Sequence, residues 1–321
     1  MRKYLLLPLA ALLLFSCKDE NKVEEKIAEL PAEDIKIERF DKIFFESTPA
    51  QLPELKKKFD FLFPKEVPDN VWLEKQKDPF QKQLYAEVQK KYPNVDTLQE
   101  NITDLYRHMK YYYPTVTKPR VVTLVYDDLD MKCVYTGDLI LIPLSIYLGE
   151  KDELYVGSMD NYHLPEHNPS QILPDIVTAF SKNKIAPIKN NNFLSYIIYY
   201  GKELYMKDML IPEVKDNNKI GYTAQQMKWT KENETEIWRY FVENKLFYDN
   251  DPKLLTRFVQ PAPFSKFYLG FDNDTPGRLG QWIGWQIVRS YMEHNKGVKP
   301  EAMLAMDAQT IFDNSKYKPE K

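Results

Sequence analysis

The chain has 321 residues, 43% hydrophobic and 14% aromatic, with a formal net charge of −3. That apolar content supports a sizeable core, and the charge balance excludes the strongly basic face that a nucleic-acid partner selects. Cysteines stand only at 17 and 133, so no disulfide framework exists once Cys17 takes the role argued next.

Residues 1–16 read as a targeting segment. Arg2 and Lys3 make a basic start, and Tyr4 to Phe15 is an apolar run too short to span a bilayer stably as a helix. It ends in Leu14-Phe15-Ser16-Cys17, the pattern of a lipobox. A small residue before the cysteine permits cleavage, and the thiol then carries a diacylglycerol. Acylated Cys17 is therefore expected to be the membrane anchor, because no later run is long and apolar enough to span. Lys18-Asp19-Glu20 resembles a surface-export signal of some Bacteroidetes lipoproteins, while residues 17–36 also read as a solvated, flexible tether.

The folded body is expected over 37–321. Arg39 to Phe45 is apolar enough to anchor on a core, and Gln51 to Phe61 reads as a helix with Pro53 near its start. Prolines at 64, 68 and 79 punctuate the next stretch, and helices follow over Phe80–Lys91 and Thr97–Tyr112. The pattern then turns β-branched: Arg120–Tyr126, Cys133–Tyr135 and Leu139–Leu144 read as a small meander. Helices return at Ser170–Asn183, Phe193–Ile211, Thr223–Asn244, Pro252–Gln260, Thr275–Asn295 and Pro300–Phe312. The class is α+β, a mainly helical single domain with a small sheet.

Four places invite chemistry. His163-Leu164-Pro165-Glu166-His167 has the spacing of an inverted zinc motif, which needs both imidazoles on one face of an α-helix. Pro165 inside it and Asn168-Pro169 after it deny that helix, so His163 and His167 are expected in a loop and remain the alternative metal pair only. Asp127, Asp128 and Asp130, like Asp272 and Asp274, flank turns and are assigned to turn and cap chemistry. Cys133, in a strand-like run, is expected to be buried and inert. Gly277, Gly280 and Gly284 fall on one helical stripe at a cost of about 1 kcal/mol each against alanine, so another backbone must pack there. Arg278, Gly280 and Gly284 are candidate groove residues; Arg278 either stabilises an oxyanion or ties buried carboxylates together.

Ser16-Cys17, the helix Leu173 to Thr178, the stretch Tyr200 to Met206 and the stretch Pro276 to Gly284 together resemble the GldB gliding-motility lipoproteins of Bacteroidetes. The last three blocks are similar, more distantly, to predicted zinc peptidases of zincin-like fold. Those carry His-Glu-x-x-His on a first helix and a glutamate before a glycine on a second. The resemblance places the metal positions at Asp175, Thr178 and Ala179 and at Tyr200, a degenerate set in which only Asp175 has a ligand-type side chain. It implies a zincin-like scaffold without catalysis or cofactor, lipid-anchored in the cell envelope. Such a protein would support gliding and type IX secretion by binding envelope proteins. The alternative is a zinc metallopeptidase built from His163 and His167 with Asp175 or Glu203. A third reading, glycan binding, rests on the tyrosines at 111–113 and 196–205, for which packing is the competing explanation.

Overall fold

The structure is a computed structural model that describes residues 16–31 and 33–319, with side chains from residue 22 onward. The targeting segment therefore lies outside the described residues apart from Ser16, and Cys17 is described in its backbone alone.

A small mixed sheet divides the body. Its strands are β1 (Ile37–Arg39), β2 (Arg120–Leu124), β3 (Val134–Tyr135) and β4 (Leu139–Pro143), in the order β1-β2-β4-β3. Strand β2 runs parallel to both neighbours, with Val122 opposite Glu38 and Leu141, and only β3 and β4 pair antiparallel. The expected meander is thus corrected. The second strand of the sequence forms the outer edge of a hairpin, and β4 slots beside β2. The added strand, β1, has three residues, two of them charged, so no alternation marks it. Ion pairs hold it instead: Arg120 on Glu38, and Arg39 on the buried Asp41.

Both faces of the sheet are covered, which is why its strands read as nearly continuous apolar runs. Successive side chains alternate. Val121, Ile140 and Ile142 enter the large core. Val122 and Leu124 face a smaller one of Phe40, Phe44, Leu52, Leu55, Phe59 and Phe63.

The helices before the sheet begin with α1 (Ser16–Ala28). It stands where a tether over 17–36 was expected, and it is docked: Ile27 is buried, Glu24 reaches His108 Nε2 at 3.2 Å, and Ile35 follows fully buried. Next come α2 (Phe40–Glu46), α3 (Leu52–Lys58) and α4 (Asp69–Lys77), which carry the smaller core. Helix α4 went unread because prolines bracket it; Pro68 caps it and Pro79 opens α5 (Pro79–Lys91), ahead of α6 (Asp96–Tyr112).

After the sheet come α7 (Ile172–Ser181), α8 (Phe193–Leu210), α9 (Asp216–Ile220), α10 (Ala224–Glu232) and α11 (Glu234–Glu243). They are followed by α12 (Lys253–Phe258), α13 (Leu279–His294), α14 (Pro300–Ala305) and α15 (Ala308–Ser315). The single helix expected over 223–244 breaks at Asn233, whose side-chain amide donates to the Trp229 carbonyl at 2.8 Å. The last expected helix is cut at Asp307, which caps α15 by accepting from Thr310 N at 2.9 Å.

Helices α8 and α13 cross with their backbones in contact. A Cβ on Gly284 would land on the Ile197 carbonyl, one on Gly201 would land on the Gly284 backbone, and one on Gly280 would lie 2.8 Å from the Phe258 oxygen. Gly277 is not part of that stripe: it precedes α13 and abuts the Ala262 carbonyl. Gly280 and Gly284 therefore line no groove, because Ile197 and Phe193 fill the space beside them.

Substituting Gly284→Ala is expected to destabilise the fold by about 3 kcal/mol through forced separation of α8 and α13. Gly297→Ala, where a new Cβ meets nothing within 4 Å, should change stability by less than about 0.5 kcal/mol. Urea unfolding checks both; coincident midpoints for the two variants would refute the contact.

Candidate functional site

The richest concentration of buried ionisable groups lies where α7, α8 and the start of α13 meet. Helix α7 is apolar on most of its surface, yet its first turn carries Asp175, and Thr178 follows one turn later. The Asp175 carboxylate is buried against Tyr147, whose hydroxyl donates to Oδ2 at 2.7 Å and accepts from the Cys133 N–H at 3.3 Å. Thr178 turns the other way and donates to Glu203 Oε1 of α8 at 2.9 Å. One turn along α8, Lys207 Nζ lies 3.8 Å from that same oxygen and donates to the Lys219 carbonyl at 2.9 Å. Arg278 closes the cluster from the N-cap of α13. It sits in the left-handed region at φ 63°, pairs with Glu166 Oε1 at 2.9 Å and donates to the Gly221 carbonyl at 3.1 Å. Lys132 stands 3.8 Å from Glu166.

Three carboxylates thus face three cations. Burial drives the Asp175 carboxyl above its ordinary range, more strongly than Lys132, Tyr147 and Lys207 draw it down. Burial likewise lowers the Lys207 ammonium, with Glu203 and Asp175 opposing. Glu166 is the contrasting case: burial pushes it up, but Arg278 and then Lys132 bring it below the usual carboxylate range. Burial raises the Cys133 thiol, which sits 3.3 Å from the Tyr147 hydroxyl, and that thiol is no nucleophile here.

The histidine pair behaves differently from a metal site. Residues 164–167 form a 3-10 turn rather than a loop, with His163 as its N-cap. At about three residues per turn, positions i and i+4 point in different directions. His163 lies against the Tyr162 ring at 4.2 Å, whereas His167 is buried and directs Nδ1–H to the Ile146 carbonyl at 2.9 Å. Burial pushes His167 down to about 4. Of the four degenerate metal positions, Asp175 and Thr178 touch different partners. Ala179 has no polar atom on its side chain, and Tyr200 sits half-buried with its ring 5.6 Å from Tyr199. Among the described residues no three His, Cys, Asp or Glu side chains converge as a metal-holding group.

Sequence reasoning found Asp175 and Arg278 but not Lys132, Tyr147, Glu166 as an arginine partner, or Lys207. A signal for one existed: Glu203 and Lys207 are an i, i+4 pair in a helix that is buried over most of its length, where a charge persists only if it finds a partner. The acidic turn residues are structural: Asp127 accepts from Gln81 Nε2 at 2.7 Å and Asp128 from Asp130 N at 3.0 Å.

Taken together these are a helical body on a small mixed sheet, a half-buried ionic cluster, and, among the described residues, no helix long and apolar enough to cross a membrane. The family described as gliding motility protein GldB matches residues 20–319, and the chain belongs to that family. Membership implies a role in gliding motility. No curated protein and no solved structure matches the chain.

Two outcomes follow from the cluster. Unfolded His167 titrates near 6.5 and folded His167 near 4, so the unfolded chain binds more protons between those values. The contribution is complete above pH 6.5 and is lost as pH falls, by about 3 kcal/mol at pH 4. Urea unfolding across that window should show this slope reduced in His167→Gln. Separately, Arg278→Met leaves the half-buried Glu166 charge with only Lys132, 3.8 Å away, and should cost about 2 kcal/mol. Adding Glu166→Gln should recover most of the loss; a strictly additive double variant would contradict the pairing.

Proposed function

We propose that this chain is a non-catalytic, lipid-anchored component of the cell envelope that supports gliding, and the type IX secretion linked to it, through protein–protein contacts. The anchor is the acylated Cys17, carrying diacylglycerol and a further fatty acyl chain such as palmitate. The helix pair α7 and α8 is a zincin-like scaffold whose metal positions have been refilled, so the body is a pseudoenzyme.

The observation that carries this reading is that the α7–α8 corner engages its own charges. Every carboxylate there is held by a neighbour of the same chain: Asp175 by Tyr147, Glu203 by Thr178 and Lys207, Glu166 by Arg278 and Lys132. A general base needs a lone pair that reaches substrate, and a metal ligand needs one that reaches the ion. The GldB family assignment over residues 20–319 supports the gliding role.

The test is complementation of a gliding strain that lacks its own copy. Cys17→Ser should be recovered in the soluble fraction and fail to restore spreading colonies. Asp175→Asn and Glu203→Gln should restore spreading as the unaltered chain does. Loss of gliding in Asp175→Asn at normal abundance and unchanged melting temperature would point to chemistry at the cluster instead.

A further inference from the structure

Outside the ionic cluster, one surface combines concavity, exposed apolar atoms and uncompensated charge. A groove of about 380 Å³ runs between α11 and the segment 267–274 that leads towards α13. Its floor is Ile237 and Phe267, both buried, with the ring of Tyr240 between them. The Tyr240 hydroxyl is already engaged, donating to the Phe267 carbonyl at 2.9 Å and accepting from Arg257 at 3.1 Å, so the ring face is what the groove presents.

The wall is unusual. Nine large apolar side chains are exposed among the described residues, and two of them, Leu269 at 47% and Phe271 at 46%, stand together on the groove wall. Chance scatter of single exposed residues needs no explanation, but a contiguous apolar patch marks an interaction surface. The wall is also held in place. The Asp272 carboxylate accepts from Tyr268 N at 2.8 Å and Leu269 N at 3.2 Å. The Arg257 guanidinium lies 4.5 Å from the Tyr268 ring centre. These contacts hold Tyr268 in the left-handed region at φ 64°, where a bulky side chain is strained. Tyr268 does not itself line the groove; its backbone sets the turn from which Leu269 and Phe271 reach the wall.

The rim is acidic. Glu236, Glu243 and Asp274 line it, with Arg239 as the one cation. Arg239 is neutralised by Glu236 at 2.7 Å, whereas Glu243 and Asp274 make no ion pair among the described residues. An apolar floor flanked by two free carboxylates complements an apolar anchor flanked by cations. A bilayer fits poorly, because a flat surface does not reach a recessed floor and anionic headgroups favour lysine and arginine rather than carboxylates.

We infer that this groove docks a short segment of a partner protein in which an aromatic or aliphatic anchor is flanked by lysine or arginine. The inference rests on the interaction-module reading above and gives that reading a place and a partner chemistry.

The full acylated chain in detergent is the bait for a displayed library of random short peptides at physiological salt. Selected sequences should be enriched in an apolar residue flanked by lysine or arginine. Their binding should fall by about tenfold or more in Glu243→Lys/Asp274→Lys and in Phe271→Asp. Both variants alter exposed side chains, and unchanged melting temperatures confirm that the fold is intact. Absence of enrichment, enrichment of acidic or uncharged peptides, or binding that ignores these variants overturns the inference. So does a dimer in sedimentation that Phe271→Asp dissolves, or vesicle binding through the same residues, since each names a different occupant. If the groove variants glide normally while Cys17→Ser does not, the groove assignment fails and the anchored interaction module stands. If Cys17→Ser also glides normally, the wider reading fails with it.

Discussion

The fold depends on two helices being allowed to touch backbone to backbone. Helix α13 meets α8 through Gly284 and Gly280 on one side and Gly201 on the other, and the Ile197 carbonyl occupies the place where a β-carbon would otherwise stand. That proximity fixes more than one interface. It brings the N-terminus of α13, and Arg278 with it, within reach of Glu166 and Gly221. It also sets Trp285 Nε1 and Arg289 on the Asp208 carboxylate of α8. The glycines lower helix propensity by about 1 kcal/mol each, and dense packing of the two large tryptophans Trp282 and Trp285 offsets that cost.

The ionic groups around this crossing behave as fasteners. Arg289 makes paired hydrogen bonds to Asp208 and to Asp216 and lies 3.7 Å from the centre of the Trp285 ring, so α9 is tied to the α8–α13 pair. The cluster around Arg278 does the same for α7 and for the long segment between β4 and α7. Buried pairs of this kind add little net stability over an apolar core, but removing one partner is costly, so they select a single arrangement rather than strengthening it.

The helices were legible where their periodicity was strong. Helices α5, α6, α7 and α8 lie within a few residues of the pattern that Leu84, Ile102, Ile176 and Ile197 belong to. The sheet was less so. Strand β1 is short and charged, and the parallel pairing of β2 with β4 depends on a crossover that no local pattern encodes. The split at Asn233 was hidden because Ile237 and Phe241 continue the apolar spacing across the break. The ionic cluster was not legible as a unit: its members come from residues 132, 147, 166, 175, 203, 207 and 278, far apart in the chain, and only folding brings them together. The tight crossing was half visible: the glycines of α13 announced it, while nothing local marks Gly201 as their counterpart on α8.

The docking of α1 has a mechanical consequence. With a lipid on Cys17, the ten residues from there to the buried Ile27 are helical rather than slack, and at 1.5 Å per residue they amount to a strut of roughly 15 Å. A coil of that length would let the body wander and tumble above the bilayer. A strut clamped at its far end by Ile27 and by the Glu24–His108 contact fixes both height and attitude. If Cys17 carries the proposed lipid, every surface on the body is held at a set distance from the headgroups.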